Sequence, residues 1–339
     1  MPTSQAESQG LTVGGGCAAK FPARRLEELL RGFAPADSDK LLVGLAPADD
    51  AAVYDLDDGR ALIFTIDFFP PLVQDPAVFG AIAAANALND IFAMGGAPML
   101  ALSVAAFPET LDDDTVASVF AAADAKVREA GAVLAGGHTI RDAVPKYGLA
   151  VVGTAAKEGL WRKSTARPGD ALCLTKPLGT GIVLAAGADG EGRDRAIAQM
   201  CELNRAAADL LRATEPSAVT DVTGFGMFGH AVEVAERSEV RLVLDASSLP
   251  ALPGALEAAA AGVRTGGDPR NRDFVGGRIR LDGLSPELDA LGHDPQTAGG
   301  LLVSLPAKRA PVLEAEFARS SLFLARIGHV EDGSGVIVR

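Results

Sequence analysis

Aromatic side chains are scarce in this 339-residue chain, at 5%, and there is one tryptophan. Its cores must therefore rest on small and aliphatic residues. Cysteine is rarer still: Cys17, Cys173 and Cys201 form an odd, widely spaced set without a CxxC pair. That excludes a disulfide framework and a thiolate zinc site. Positive charge is in deficit, with 31 Lys and Arg against 44 Asp and Glu and a formal net charge of −13. Such a chain does not hold nucleic acid by neutralising its phosphates. It can still hold a phosphate ligand through Mg²⁺ bound to carboxylates. No uninterrupted apolar run reaches membrane-spanning length, and "MPTSQAESQG" lacks the basic start and apolar core of a secretory signal. The expectation is a cytoplasmic enzyme with reduced thiols and neither nucleic acid nor membrane as partner.

What is present is a repeated alternation of strand-like and helix-like runs. "AAVYDL" and "ALIFTID" read as strands joined at "DDGR", and "VFGAIAAANALNDIFAMGG" as a long helix stopped by paired glycines. "MLALSVAAF" predicts a buried strand. Val116, Val119, Phe120, Ala123 and Val127 give the next helix one apolar face, and "AVLAGG" and "YGLAVVGTAA" follow as strands. The basic, turn-rich "KEGLWRKSTARPG" marks a boundary, after which "DALCLTKPLG", "VRLVLD", "GGLLVSL" and "GVIVR" supply further strands. A helical region spans 191–213, and "VTDVTGFGMFGHAVEVAE" reads as strand, loop and helix. The pattern gives two α+β domains of α/β rhythm, an arm over 1–22, a first domain over 23–157 and a second over 168–339.

Carboxylates collect where elements end. Asp49 and Asp50 precede a strand, Asp67 closes "ALIFTID", and Asp221 opens the loop "TGFG". Asn86 and Asp90 share one helix face at i, i+4 spacing. Crowded aspartates repel one another unless cations sit among them, which points to oxygen-ligated Mg²⁺. Glycine loops ("GGGCAAK", "AMGGAP", "LAGGHT", "TGFGMFGH", "PQTAGG") let backbone N–H groups approach phosphates. GxxxxGK[ST] and the Rossmann fingerprint are both missing. His230 and His329 read as structural or surface residues, and His138 as a phosphate contact or a plain strand-end residue. Cys173 and Cys201 read as small buried hydrophobes. Cys17, three residues before Lys20 in a glycine-rich stretch, reads as a reactive thiolate.

"GGGCAAK", "DDAAVYDL", "NALNDIFAMGG", "LAGGHTI", "RKSTARPGD", "LTKPLGTG", "TDVTGFGMFGH" and "DPQTAGGLL", in this order, resemble the selenophosphate synthetase (selenide, water dikinase) family. "DVTGFG" also looks like the wider superfamily of aminoimidazole ribonucleotide synthetases, thiamine-monophosphate kinases and hydrogenase-maturation dehydratases. The resemblance implies an N-terminal mixed sheet that pairs across a homodimer and a C-terminal α+β domain. It implies ATP and selenide as substrates, several Mg²⁺ ions with K⁺ as a further candidate cation, and a selenium-delivery protein as a candidate partner. By motif, Asp50, Asp90 and Asp221 would ligate Mg²⁺, and Asp49 and Asp67 would contact ATP or its metals. Gly136, Gly137 and His138 would reach ATP from the partner side, Lys20 would reach the phosphates, and Cys17 would handle selenium. Ala19 stands where some relatives carry a second cysteine. Two other readings stay open: a kinase or ligase of the same superfamily, and a catalytically silent nucleotide-binding protein with Cys17 as an oxidation switch.

Overall fold

The structure is a computed structural model that describes Leu11, Gly15, Gly16, Gly32 and residues 23–30, 38–45 and 48–339. Its first part runs α1 (Ala23–Leu30), β1 (Leu41–Val43), β2 (Ala52–Asp55), β3 (Arg60–Phe69), α2 (Pro76–Ala93), β4 (Ala97–Phe107), α3 (Asp113–Glu129), β5 (Val133–Arg141) and β6 (Lys146–Ala156). The strands form one sheet in the order β1-β2-β3-β6-β4-β5, with β4 and β5 the parallel pair. In β3 the side chains alternate strictly: Ala61, Ile63, Thr65, Asp67 and Phe69 are buried, whereas Phe64, Ile66 and Phe68 are exposed. Asp75 caps α2 by accepting the Val78 N–H at 2.9 Å, and Pro76 opens its first turn. α2 has the length and apolar composition of a membrane-crossing helix, yet most of it is buried inside the protein. It packs on β3 and β6 and against α3.

β4 departs from the expected buried strand. Met99, Leu100 and Leu102 are exposed while Ala101 and Ala105 are buried, because helices cover only one face of the sheet within the chain. The strand expected over "AVLAGG" continues to Arg141, so His138 lies inside β5 and not at its end. Asp67 likewise sits within β3, two residues before its end.

The second part contains β7 (Asp170–Leu174), α4 (Thr180–Ala186), α5 (Glu191–Cys201), α6 (Arg205–Arg212), β8 (Ala218–Asp221), α7 (Gly226–Ser238), β9 (Arg241–Leu244) and α8 (Ala255–Ala260). It ends with α9 (Asp268–Val275), β10 (Ile279–Leu281), α10 (Pro286–His293), β11 (Leu301–Pro306), α11 (Ala310–Arg319), β12 (Ala325–Glu331) and β13 (Gly335–Val338). The sheet order is β10-β13-β9-β12-β7-β11-β8. One apolar core lies between this sheet and α7. The other is continuous with the first part, joining Val219, Leu301 and Val303 to Ile91 and Leu88 of α2.

The basic stretch between the two sheets is no solvated linker. The Trp161 N–H donates to Met94 O at 3.1 Å, and the Arg212 guanidinium lies over its ring at 5.9 Å. Lys163 is buried.

Candidate active site

The first polar cluster is built between β3 and α2. Thr65 Oγ1 donates to Asp90 Oδ2 at 2.5 Å, and Asn86 Nδ2 donates to Asp67 Oδ2 at 2.5 Å. Two residues of strand span about 6.6 Å and four of helix about 6 Å. Thr65 and Asp67 therefore match Asp90 and Asn86 pairwise along antiparallel elements. This stripe of four polar side chains is fixed in place by otherwise apolar packing.

The second cluster joins the start of the first sheet to β8 and α7. Asp50 Oδ1 accepts from Lys163 Nζ at 2.6 Å and from Thr220 Oγ1 at 2.9 Å. Its other oxygen, Oδ2, is buried with no hydrogen-bond partner among the described residues. Both Asp49 oxygens serve backbone amides, those of Asp50 at 2.9 Å and Lys163 at 3.1 Å. Burial and the adjacent Asp50 charge push the Asp49 carboxyl up to about 6. Lys163 also lies 3.8 Å from Glu233 Oε2. Burial works against its charge, but the carboxylates of Asp50, Glu233 and Asp49 outweigh it and raise its pKa. Burial likewise opposes the Glu233 charge. Lys163, His230 and Arg237 overcome it and hold that carboxyl well below the usual range. His230 accepts the Thr223 N–H on Nε2 at 3.0 Å and faces Glu233 with Nδ1, a structural role that matches the sequence reading.

Asp221 ends β8 beside Thr220 and pairs in register with Leu301. Among the described residues no group of three or more His, Cys, Asp or Glu side chains is gathered to hold a single ion. Cys17 and Lys20 lie outside the described residues. Gly15, two residues before Cys17, lines a cavity of about 240 Å³ together with Leu72, Thr180, Arg264, Thr265 and Thr297.

Gly136, Gly137 and His138 do not approach Asp67 or Asp90 in the same chain. β5 is an edge strand three places from β3, about 14 Å away at ordinary strand spacing. Register aligns Phe68, Gly148, Val104 and His138 across the sheet. His138 thus belongs to the exposed face, opposite Asp67. Gly136 has φ 135°, and a Cβ on Gly137 would sit 2.3 Å from Ser103 O. Backbone geometry and close strand approach account for this pair of glycines.

A family model described as AIR synthase related protein, N-terminal domain, matches residues 48–155, and one described as AIR synthase related protein, C-terminal domain, matches 167–339. The selenide, water dikinase of Porphyromonas gingivalis (strain ATCC 33277) is 45% identical over 326 residues, covering 94% of this chain and 93% of that protein. The chain belongs to the selenide, water dikinase family. The selenide, water dikinase 2 of Peptoclostridium acidaminophilum is 41% identical over 321 residues, with 94% and 92% covered. The solved structure of AaThiL complexed with AMPPCP and TMP has a TM-score of 0.68 at 18% identity, covering 93% of this chain and 92% of that one. That likeness shows a shared AIR synthase-type fold of two α/β units.

In this member of the dikinase family, sequence reading missed Lys163, Thr65 and Thr220. Lys163 stands in a stretch whose basic residues and turn formers imitate a linker. The preceding tryptophan was the one signal that the segment folds inward. Two of the glycine loops are held through their carbonyl groups. Arg212 Nη2 occupies the carbonyls of Gly95 and Gly96 at 3.1 Å, and Asn204 Nδ2 donates to Gly299 O at 2.9 Å.

Proposed function

We propose that the chain makes selenophosphate from ATP, selenide and water, releasing AMP and orthophosphate. The observation that carries this reading is 45% identity over 94% of the chain to a selenide, water dikinase. The acidic clusters supply a chemical rationale. An ATP phosphate chain among Asp50, Asp90 and Asp221 needs divalent cations. The buried Asp50 Oδ2, without a hydrogen-bond partner among the described residues, fits a carboxylate oxygen kept for one. Asp50, Asp90 and Asp221 would hold Mg²⁺, which when bound offsets the charge on the transferring phosphoryl oxygens.

The protein's own side chains do the positioning. Lys163 and Thr220 hold Oδ1 of Asp50, so that Oδ2 is aimed and not free to rotate. Thr65 orients Asp90 and Asn86 orients Asp67. Selenium attacks the γ-phosphorus and the ADP oxygen leaves. Water then cleaves the β-phosphoryl group of retained ADP, giving AMP and orthophosphate. Cys17 and Lys20 belong to the acceptor side in this proposal, Cys17 as a soft, polarisable neighbour that positions selenide without bonding to it and Lys20 bringing charge to the phosphates.

The proposal includes a homodimer joined through the open sheet face. Tyr54, Phe64, Ile66, Phe68, Met99, Leu100, Leu102, Val133 and Ile140 there are between 38% and 62% exposed. An apolar face of this extent supports the reading of a self-association surface. His138 shares it and would serve the partner's nucleotide.

The test is product analysis of ATP turnover with and without selenide. AMP, orthophosphate and selenophosphate in equal amounts, formed only with selenide, are expected. ADP as the sole end product would overturn the proposal in favour of a simple kinase.

A further inference from the structure

Lys176 follows β7 and is buried, and among the described residues its ammonium donates to carbonyls with no carboxylate in an ion pair. Nζ donates to Glu202 O at 2.7 Å, Ala298 O at 2.9 Å and Gln199 O at 3.4 Å. Three donors thus meet three acceptors, the full capacity of an ammonium group. Two acceptors come from the end of α5 and the third from the loop before β11. Burial lowers its pKa to about 8, so this charge is kept at a cost.

Ala298 is in the left-handed region at φ 47°, which a residue with a Cβ rarely adopts. It is held from both sides. Lys176 takes its carbonyl, and its N–H donates to Asn86 Oδ1 at 2.8 Å. Asn86 then donates through Nδ2 to Asp67. Three hydrogen-bonded steps therefore run from Lys176 in the second part to Asp67 in the first. A parallel strap crosses beside them, with the Asn204 N–H donating to Asn89 Oδ1 at 2.8 Å.

We propose that Lys176 is a positioning residue for phosphoryl transfer. It fixes Ala298 in its strained conformation, Ala298 fixes the amide of Asn86, and Asn86 orients Asp67 toward the nucleotide. This rests on the dikinase reading for its catalytic consequence and on geometry alone for its structural one. A purely structural lysine would stabilise the junction without setting the orientation of a side chain on β3.

The test uses the full chain with Lys176→Met, Asn86→Ala and the double substitution, read in two ways. Hydrogen–deuterium exchange follows the Ala298 amide, and selenide-dependent AMP formation is measured beside ATP affinity. Lys176→Met should speed exchange at Ala298 and lower kcat about tenfold while ATP affinity changes less than about threefold. In that background Asn86→Ala should cost less than about twofold more, because both substitutions break the same relay. Losses that multiply, or unchanged exchange at Ala298, overturn the proposal. If Lys176→Met does not fold, Asn86→Ala alone probes the relay from its other end, and wild-type kcat in that variant overturns it. A wild-type chain without selenide-dependent AMP would instead overturn the dikinase reading, and the exchange measurement would still decide the relay.

Discussion

Asp294 shows how one side chain can replace several conventional features. α4 begins after Gly179, which has no side chain to cap it. Gln296 Oε1 accepts the N–H groups of Gly179 and Thr180 at 3.0 and 3.1 Å, and Asp294 Oδ2 accepts those of Gly181 and Ile182 at 3.0 and 3.1 Å. Four amide donors at the helix start are thus satisfied by one distant loop. These amides are not available to a phosphate, which the "GTG" pattern alone could not reveal. Burial pushes the Asp294 carboxyl up from an ordinary 3.8 to about 8. A raised carboxyl pKa means that the folded protein keeps a proton the unfolded chain releases. Stability from this group is full below about pH 4 and drains away as pH rises toward 8. Asp294→Asn keeps an accepting oxygen and cannot ionise. The expected outcome is a melting temperature that falls by several degrees less than wild type between pH 5 and pH 8, measured by thermal unfolding in matched buffers. Parallel curves for the two proteins would refute the assignment.

At the scale of elements, β5 carries the most exposed argument. A Cβ on Gly137 would lie 2.3 Å from Ser103 O and 2.7 Å from Ser103 N, so Gly137→Ala must push β5 away from β4. Overpacking of this kind costs about 1–3 kcal/mol, read as a lower midpoint in urea unfolding. An unchanged midpoint would mean that the strands have room. Long, strongly patterned elements were legible in the sequence. α2 carried its cap, its apolar run and its glycine stop, and β3 carried its alternation. The short helices α4, α8 and α9 were not, since each has too few residues for a helical period, and β12 was not, because Gly328 and charged residues interrupt its apolar alternation. The same limit applies to the site. Asp50, Asp67, Asp90 and Asp221 stood out as acidic residues near element ends. Lys163 and Lys176 depend on partners remote in sequence, and a lysine far from its partners in the chain reads as surface.

The whole molecule leaves one broad question for its open sheet face. Phe64, Val152 and Leu100 align across β3, β6 and β4, as do Ile66, Ala150 and Leu102. His138 continues the row that begins at Phe68, whereas Asp90 and Asp67 lie on the covered side. A single chain cannot bring these two sets to one ligand, but a twofold pair can if one chain's His138 meets its partner's nucleotide. That arrangement makes a distinctive demand on mixtures. Asp90→Asn and His138→Ala chains should each form little AMP alone. After dissociation and joint reassembly, half of the dimers are mixed, and each mixed dimer holds one site with both residues intact. About a quarter of wild-type activity should therefore return if association is statistical. Sedimentation must show dimers before and after mixing. If the mixture stays inactive while dimers form, His138 does not act across the interface, and the apolar face joins two self-sufficient sites.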